Sequence, residues 1–489
     1  MDETLIGWVF LFTMLVWRFV TTFDCVQRML HFHKGFAFFL QWYTLTLIGL
    51  TLLLARTFWD IIIYDFIGYD FLSQAKIEQK IDRICEGLEM SDKECAALHE
   101  ELTVPNWLRR TSLVAPVCGV LAFVLLAGLL GRFVQYNCYK KSKSPKREWN
   151  TMPWKLGLRL EWVIIIIGTP LVFIVMAMRS LVRVWAVVTG SCYKLGMTRA
   201  DWAEATTLEM ATYTMDLELA YTFQFYAISK FGLLCSNLLE HSRFIRAQID
   251  SDREAFRHYK RTLATTSIQG VYAFVVIGLL RSAFDFGVAY FQEKPATKAM
   301  ADAIQEKALV KVGTIFAFVT ILCMINMVLV SKVKDISENL GNANLKFLGT
   351  RLLLLIAQIQ PQVLSLAVVG SPLYKVVREN AQKFHLQEKL HVDLNQWTFT
   401  HYQSALAHVA LLNIEGLIVV IVTMIFWRLT SKQRAVLLDD EAREGPWWLC
   451  GTKPVAAREL ASPRVSPEDA DEEKVVGEGG GYLPLKGAS

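Results

Sequence analysis

Nine separate stretches of the chain are apolar and long enough to cross a lipid bilayer, near 4–22, 38–63, 112–136, 160–187, 216–239, 266–288, 309–331, 347–370 and 403–427. Crossing the hydrocarbon core takes about 20 mostly apolar residues in a helix. Inside lipid every backbone N–H and C=O must be paired within its own segment, so such runs fold as helices. The expected fold is all-α, a polytopic integral membrane bundle of nine spans. Hydrophobic residues fill 53% of the 489 positions. That abundance, spread along the chain, favours one bundle over the several soluble domains the length alone would suggest.

The net charge of +5 says little as a total, but its distribution orients the bundle. The gap 137–159 carries Lys140, Lys141, Lys143, Lys146, Arg147, Lys155 and Arg159 against a lone Glu148. The gap 240–265 carries Arg243, Arg246, Arg253, Arg257, Lys260 and Arg261 among some acids, and 332–346 adds Lys332, Lys334 and Lys346. Arg28 and Lys34 lie in the first gap, and Arg428, Lys432 and Arg434 follow the last span. These are alternate gaps, so they share one side, assigned to the cytoplasm. Asp2, Glu3 and the acidic gap 64–111 then face outward, with the N-terminus outside and the C-terminus inside. The first apolar run lacks a basic leader and a clear small-residue cleavage site, so it reads as a retained helix. The membrane is the plasma membrane or an endomembrane; no address signal chooses between them.

Nine cysteines show no metal-ligand spacing. Cys85 and Cys95 share the acidic outer gap, where an oxidising compartment would bridge them and a reducing one would leave two thiols. Cys118, Cys235 and Cys323 fall within spans and read as small packing residues. Cys138 sits at a cytoplasmic span end, where reversible acylation is a weak pattern. From about 438 the chain turns Pro-, Gly- and acid-rich, with Asp469, Asp471, Glu472 and Glu473. Such a segment buries too little apolar surface to offset the entropy of ordering and reads as a disordered cytoplasmic tail.

Ionisable groups within spans are costly and face the bundle interior or a wet cavity. Asp216 and Glu218 open the fifth span, with Lys230 about three turns deeper and Asn237 beyond it. Arg351 lies one turn into the eighth span, and Gln358, Gln360 and Pro361 follow near its middle. His408, Asn413 and Glu415 lie close together in the ninth. Glu415 reads either as a coupling carboxylate or as a protonated group bonded across helices. Arg351 reads as an anion-attracting cation or as a side chain reaching the cytoplasmic interface. Asp216 and Glu218 equally suit a solvated helix start. Pro170 and Pro361 interrupt two spans, as kinks that free carbonyls or as static bends. Gly278 and Gly313 permit close helix approach.

The last seven spans carry an order of features that resembles the organic solute transporter alpha-subunit and transmembrane protein 184 families. At the eighth span Lys346, Phe347 and Leu348 open the helix, then Arg351 and Gln360 follow. The family places a Trp before that Gln; here it is Ile359. Ile414 and Glu415 match the Ile-Glu of the last span, and Arg159 with Pro170 and Ser180 matches the fourth. Asp216, Ala220 and Tyr221 match the fifth, but Leu219 precedes the Ala where the family has Glu, and the carboxylate is Glu218. One residue turns a helical side chain by about 100°. The resemblance covers roughly 112–428.

It implies a seven-helix core (112–428); around it the sequence reads as a two-span extension (1–64), an acidic extracytoplasmic loop (65–111) and a cytoplasmic tail (429–489). It implies transport of amphipathic organic solutes or lipids, such as steroid-like or other organic anions, with a small single-span subunit or a homo-oligomer as partner and membrane lipid around it. Asp216, Glu218, Arg351, Gln358, Gln360 and Glu415 are the candidate binding or coupling residues, in one cavity of the fifth, eighth and ninth spans. The alternative is a seven-helix receptor or a signalling and trafficking scaffold, docking partners through its basic loops and tail. Enzymatic motifs are missing: there is no Gly-rich phosphate loop, His-Glu zinc spacing or Gly-x-Ser-x-Gly elbow. No cofactor or metal is expected, and the short basic clusters beside spans do not suit nucleic acid.

Overall fold

The computed structural model describes residues 41–63, 74–143, 156–240, 254–292, 295–365, 367–368 and 399–437, together with 9, 13, 16 and 17. The first span of the sequence reading, apart from those four positions, and the tail beyond 437 lie outside the described residues. The described chain is about 89% helix and contains no strand. Its helices are α1 (Trp42–Ile63), α2 (Gln74–Gly87), α3 (Asp92–Leu102), α4 (Asn106–Lys143), α5 (Leu158–Val188) and α6 (Arg199–Glu240), followed by α7 (Glu254–Gln292), α8 (Pro295–Ser331), α9 (Lys334–Leu340), α10 (Ala343–Ser365), α11 (His401–Phe426) and α12 (Ser431–Leu437).

Five stretches are long and apolar enough to cross a membrane: Trp42–Ile63, Asn106–Tyr136, Arg159–Val188, Gln269–Gln292 and His401–Phe426. The runs 216–239 and 309–331 also fall in helices, within α6 and α8, and the run 347–370 does so as far as Ser365, in α10. The helix α6 carries Asp216, Glu218 and Lys230 in its apolar part, and its 42 residues extend about 63 Å at 1.5 Å per residue. That is about twice the thickness of a bilayer's hydrocarbon core.

Apolar character has two destinations. In α5, 89% of the most apolar stretch is buried, against 28% in α1 and 33% in α4. A helix that is apolar all round is a hub, and α5 packs on α6, α4, α11 and α1. On the outer helices the apolar residues are displayed instead: Val114, Val117, Leu121 and Val124 form an exposed stripe at helical spacing on α4. Ile418, Ile421 and Ile425 do the same on α11. Wide exposed apolar faces suit lipid tails, not water.

The helix ends gather into two groups at opposite ends of α4. At the Asn106 end, Ile77, Ile81 and Ile84 of α2, Leu88 just after it, and Leu98 and Leu102 of α3 form a small core with Trp202 of α6. A bridge joins Cys85 to Cys95 there. The Arg199 guanidinium donates to the Leu88 and Glu89 carbonyls and to Glu94. Gln403 at the start of α11 donates to the Thr103 carbonyl at 2.7 Å. At the far end, Arg159 donates to Asn237 Oδ1 (2.6 Å) and to the Val436 carbonyl (3.0 Å), linking the starts and ends of α5, α6 and α12. Lys346 Nζ lies over the Trp427 ring and Arg434 over Tyr136.

Candidate functional site

The six candidate residues are all placed on α6, α10 and α11, yet they do not meet in one cavity. They form separate polar joints between neighbouring helices. Asp216, which is 1% exposed, faces α5, where Arg179 Nε lies 3.6 Å from its Oδ2. Glu218, two residues on, faces α7 and accepts from the Ser282 hydroxyl through a carboxylate oxygen. Two residues turn the helix by about 200°, which sends the carboxylates to different neighbours. Glu218, one residue from the family's position, is thus bonded to α7.

Arg351 and Gln360 separate in the same way. They are nine residues apart on α10, about 900° or half a turn out of phase. Arg351 is fully buried, and its guanidinium lies 4.7 Å over the Phe274 ring of α7. None of its three nitrogens has a hydrogen-bond partner among the described residues. Its environment is an aromatic cluster: Phe274 stacks on Phe316 at 5.6 Å and meets Phe225 edge-on at 5.4 Å. A second guanidinium, Arg281, lies 4.9 Å over the Phe316 ring and pairs with Asp285 at 3.4 Å. Gln358, seven residues from Arg351, returns to the same helix face and is half-buried.

Gln360 instead faces α11. Its amide nitrogen donates to Glu415 Oε2 at 3.4 Å, and its Oε1 meets His408 Nδ1 at 2.9 Å. Glu415 and His408 are seven apart on α11 and therefore share a face. His408 is buried, Gln360 and Glu415 are half-buried, and the Pro361 ring follows directly. Pro361 cannot donate its nitrogen, so the α10 ladder is weakened where the triad sits. Nearer Arg351, α6 is stitched to α10 by the Gln224 amide donating to the Thr350 carbonyl and Tyr221 Oη donating to the Ala357 carbonyl.

Lys230 is buried with its ammonium 4.8 Å over the Tyr226 ring. Asn413 donates to its own helix at the Val409 carbonyl. Arg179, Arg281, Ser282 and Asp285 were not singled out in the sequence, although Arg179 and Arg281 are basic residues inside apolar runs and carry the same signal as Arg351. Among the described residues Cys85, Cys95 and His99 form one cluster of metal-ligand atoms, within 4.8 Å, but both sulfurs are committed to the bridge. His99 Nε2 is paired with Asp82 at 2.8 Å.

Electrostatics outside the apolar runs are dominated by helix caps. The Ser91 backbone N–H and hydroxyl, both on Glu94, hold its carboxyl below the usual range, helped by Arg199. The Thr198 N–H and hydroxyl do the same for Asp201. Burial pushes Glu101 up, and pushes the Cys192 thiol up to about 12. Comparison with known protein families, with curated proteins and with solved structures gives no match.

Proposed function

We propose that the protein is a multi-spanning transport protein for amphipathic organic solutes or lipids bearing an anionic head. The observation that carries this reading is Arg351: a fully buried guanidinium on an aromatic ring, with no hydrogen-bond partner among the described residues. An ionic group in apolar surroundings is costly unless paired. A passing carboxylate or sulfate would supply that pair, and the surrounding Phe225, Phe274 and Phe316 would take an apolar body. Gln360, Glu415 and His408 form a second polar station on the opposite face of α10, beside the Pro361 break, suited to gating or to coupling through Glu415. Asp216 and Glu218 hold α6 to α5 and α7, so their part is to position the helix.

In this reading the nine apolar runs all span, the core is 112–428, the basic connectors are cytoplasmic and the N-terminus is outside. The two groups of helix ends support it, because α2, α3, the start of α6 and the start of α11 gather at one end while α5, α6 and α12 meet through Arg159 at the other. A partner subunit or homo-oligomer would seat on the displayed apolar faces.

The test is flux of a bile-acid-like anion into liposomes reconstituted with the full chain. Wild type should transport it. Arg351→Ala should lose most of the flux and Glu415→Ala should slow it. Unchanged flux in both variants would remove these residues from the mechanism. No flux in wild type, with ligand-dependent recruitment of a cytoplasmic protein, would favour the receptor or scaffold reading.

A further inference from the structure

A cavity of about 510 Å³ lies between α1, α4, α5 and α6, and none of the six candidate residues lines it. It runs along residues 42–50 of α1, 127–135 of α4 and 164–172 of α5. At 1.5 Å per residue that is about 12 Å of each helix. Its volume is that of a small-molecule site, and such sites are apolar with a few placed polar groups. No Asp, Glu, Lys, Arg or His lines it. Two of its hydroxyls are already used: Thr46 donates to the Trp42 carbonyl at 2.8 Å and Thr169 to the Ile165 carbonyl at 2.9 Å. Thr44 differs, because its Oγ1 is buried and has no hydrogen-bond partner among the described residues. The cavity opens beside Gly131 and Gln135, which are exposed, and a Cβ at Gly131 would meet nothing within 4 Å.

We propose that this cavity holds an uncharged lipid with a hydroxyl-bearing head, its apolar body along α1, α4 and α5 and its head bonded to Thr44 Oγ1. A charged head would give up its hydration against a lining that offers no counter-charge. An apolar molecule without a polar head would leave the Thr44 hydroxyl unsatisfied. Sterols and acylglycerols share the required chemistry. The site uses none of the residues of the transport reading, and α1 lies outside the core assigned to it, so either stands if the other fails.

The test uses the full chain in detergent micelles with three photoreactive probes: a sterol, a monoacylglycerol and a phosphatidylserine, each with a diazirine in its apolar part. One or both uncharged probes should mark peptides covering 42–50, 127–135 or 164–172, the sterol alone indicating a ring body and the acylglycerol alone a chain. Gly131→Leu, which narrows the mouth, should lower the marking. Thr44→Val keeps the shape and removes the hydroxyl, and should lower it by about two- to tenfold, the worth of one hydrogen bond. The proposal is overturned if no uncharged probe marks these peptides, if phosphatidylserine marks them as strongly, or if both variants are marked like wild type. Gel filtration identifies a variant that misfolds; the other variant and the wild-type map then decide.

Discussion

Arg351 separates a functional from a structural cost more cleanly than any other side chain here. Replacing a buried charge by an apolar group of similar bulk is often neutral or stabilising by about 1–4 kcal/mol. Arg351→Met is therefore expected to keep or raise the melting temperature in detergent while abolishing flux. A loss of both would make Arg351 a structural residue. Gly278 lies at the opposite extreme, where a Cβ would come within 2.6 Å of Phe225 Cε1. Gly278→Leu should cost about 1–3 kcal/mol through overpacking, read as a lowered unfolding temperature. At this scale the sequence pointed to Asp216, Glu218, Lys230, Arg351, His408 and Glu415, because an ionisable residue in an apolar run announces itself, but it passed over Arg179 and Arg281. It did not reveal their partners. Gln360 meets Glu415 and His408 across 55 and 48 residues of chain, and no spacing encodes which two helix faces meet. The half-turn between Arg351 and Gln360 was legible in principle, and it puts the two side chains on opposite faces of α10 instead of in the expected single cavity.

Elements show a different limit. Hydropathy marks only the apolar part of a helix, and polar turns extend the run 216–239 into the helix Arg199–Glu240. Likewise 64–111 reads as an acidic loop, yet most of 74–102 is two helices on their own apolar core. The pattern Ile77, Ile81, Ile84, Leu88 was visible at helical spacing; the net charge obscured it. The Cys85–Cys95 bridge closes a ten-residue separation in that cap. Changing both to Ser should lower the cap's stability by about 2–3 kcal/mol on the loop-entropy scale, measurable by hydrogen exchange in 74–102. Glu94 and Asp201 have depressed folded-state pKa values, so their contribution to stability is full above the unfolded carboxylate range. It is lost as pH falls through the folded values. Glu101 runs the opposite way, since its raised pKa makes its ionised form unfavourable in the fold. Glu94 therefore favours exchange protection of α3 at neutral pH and Glu101 opposes it, so Glu94→Gln should remove the loss of protection on acidification and Glu101→Gln should raise protection above the carboxylate range.

The whole molecule is organised by a hub helix and two ends. The apolar composition predicted spans, and the alternation of basic gaps predicted that connectors would sort by side. The hub position of α5 was not readable, because a run such as Ile164–Ile167 suits lipid as well as a helical neighbour. Contact with α6, α4, α11 and α1 removes it from lipid, and only the packed bundle shows that. The same ambiguity hid the cavity at Gly131, which arises where four helices fail to close.

Labelling of single introduced cysteines at positions 90, 145 and 255 tests the sorted-connector topology most directly, with the protein at the surface of intact cells and an impermeant thiol reagent outside. The account predicts reaction at 90, and at 145 and 255 only after the membrane is opened. Reaction at just one of 145 and 255 in intact cells would place two alternate connectors on opposite sides and contradict the bundle on which the stations of Arg351 and Glu415 depend.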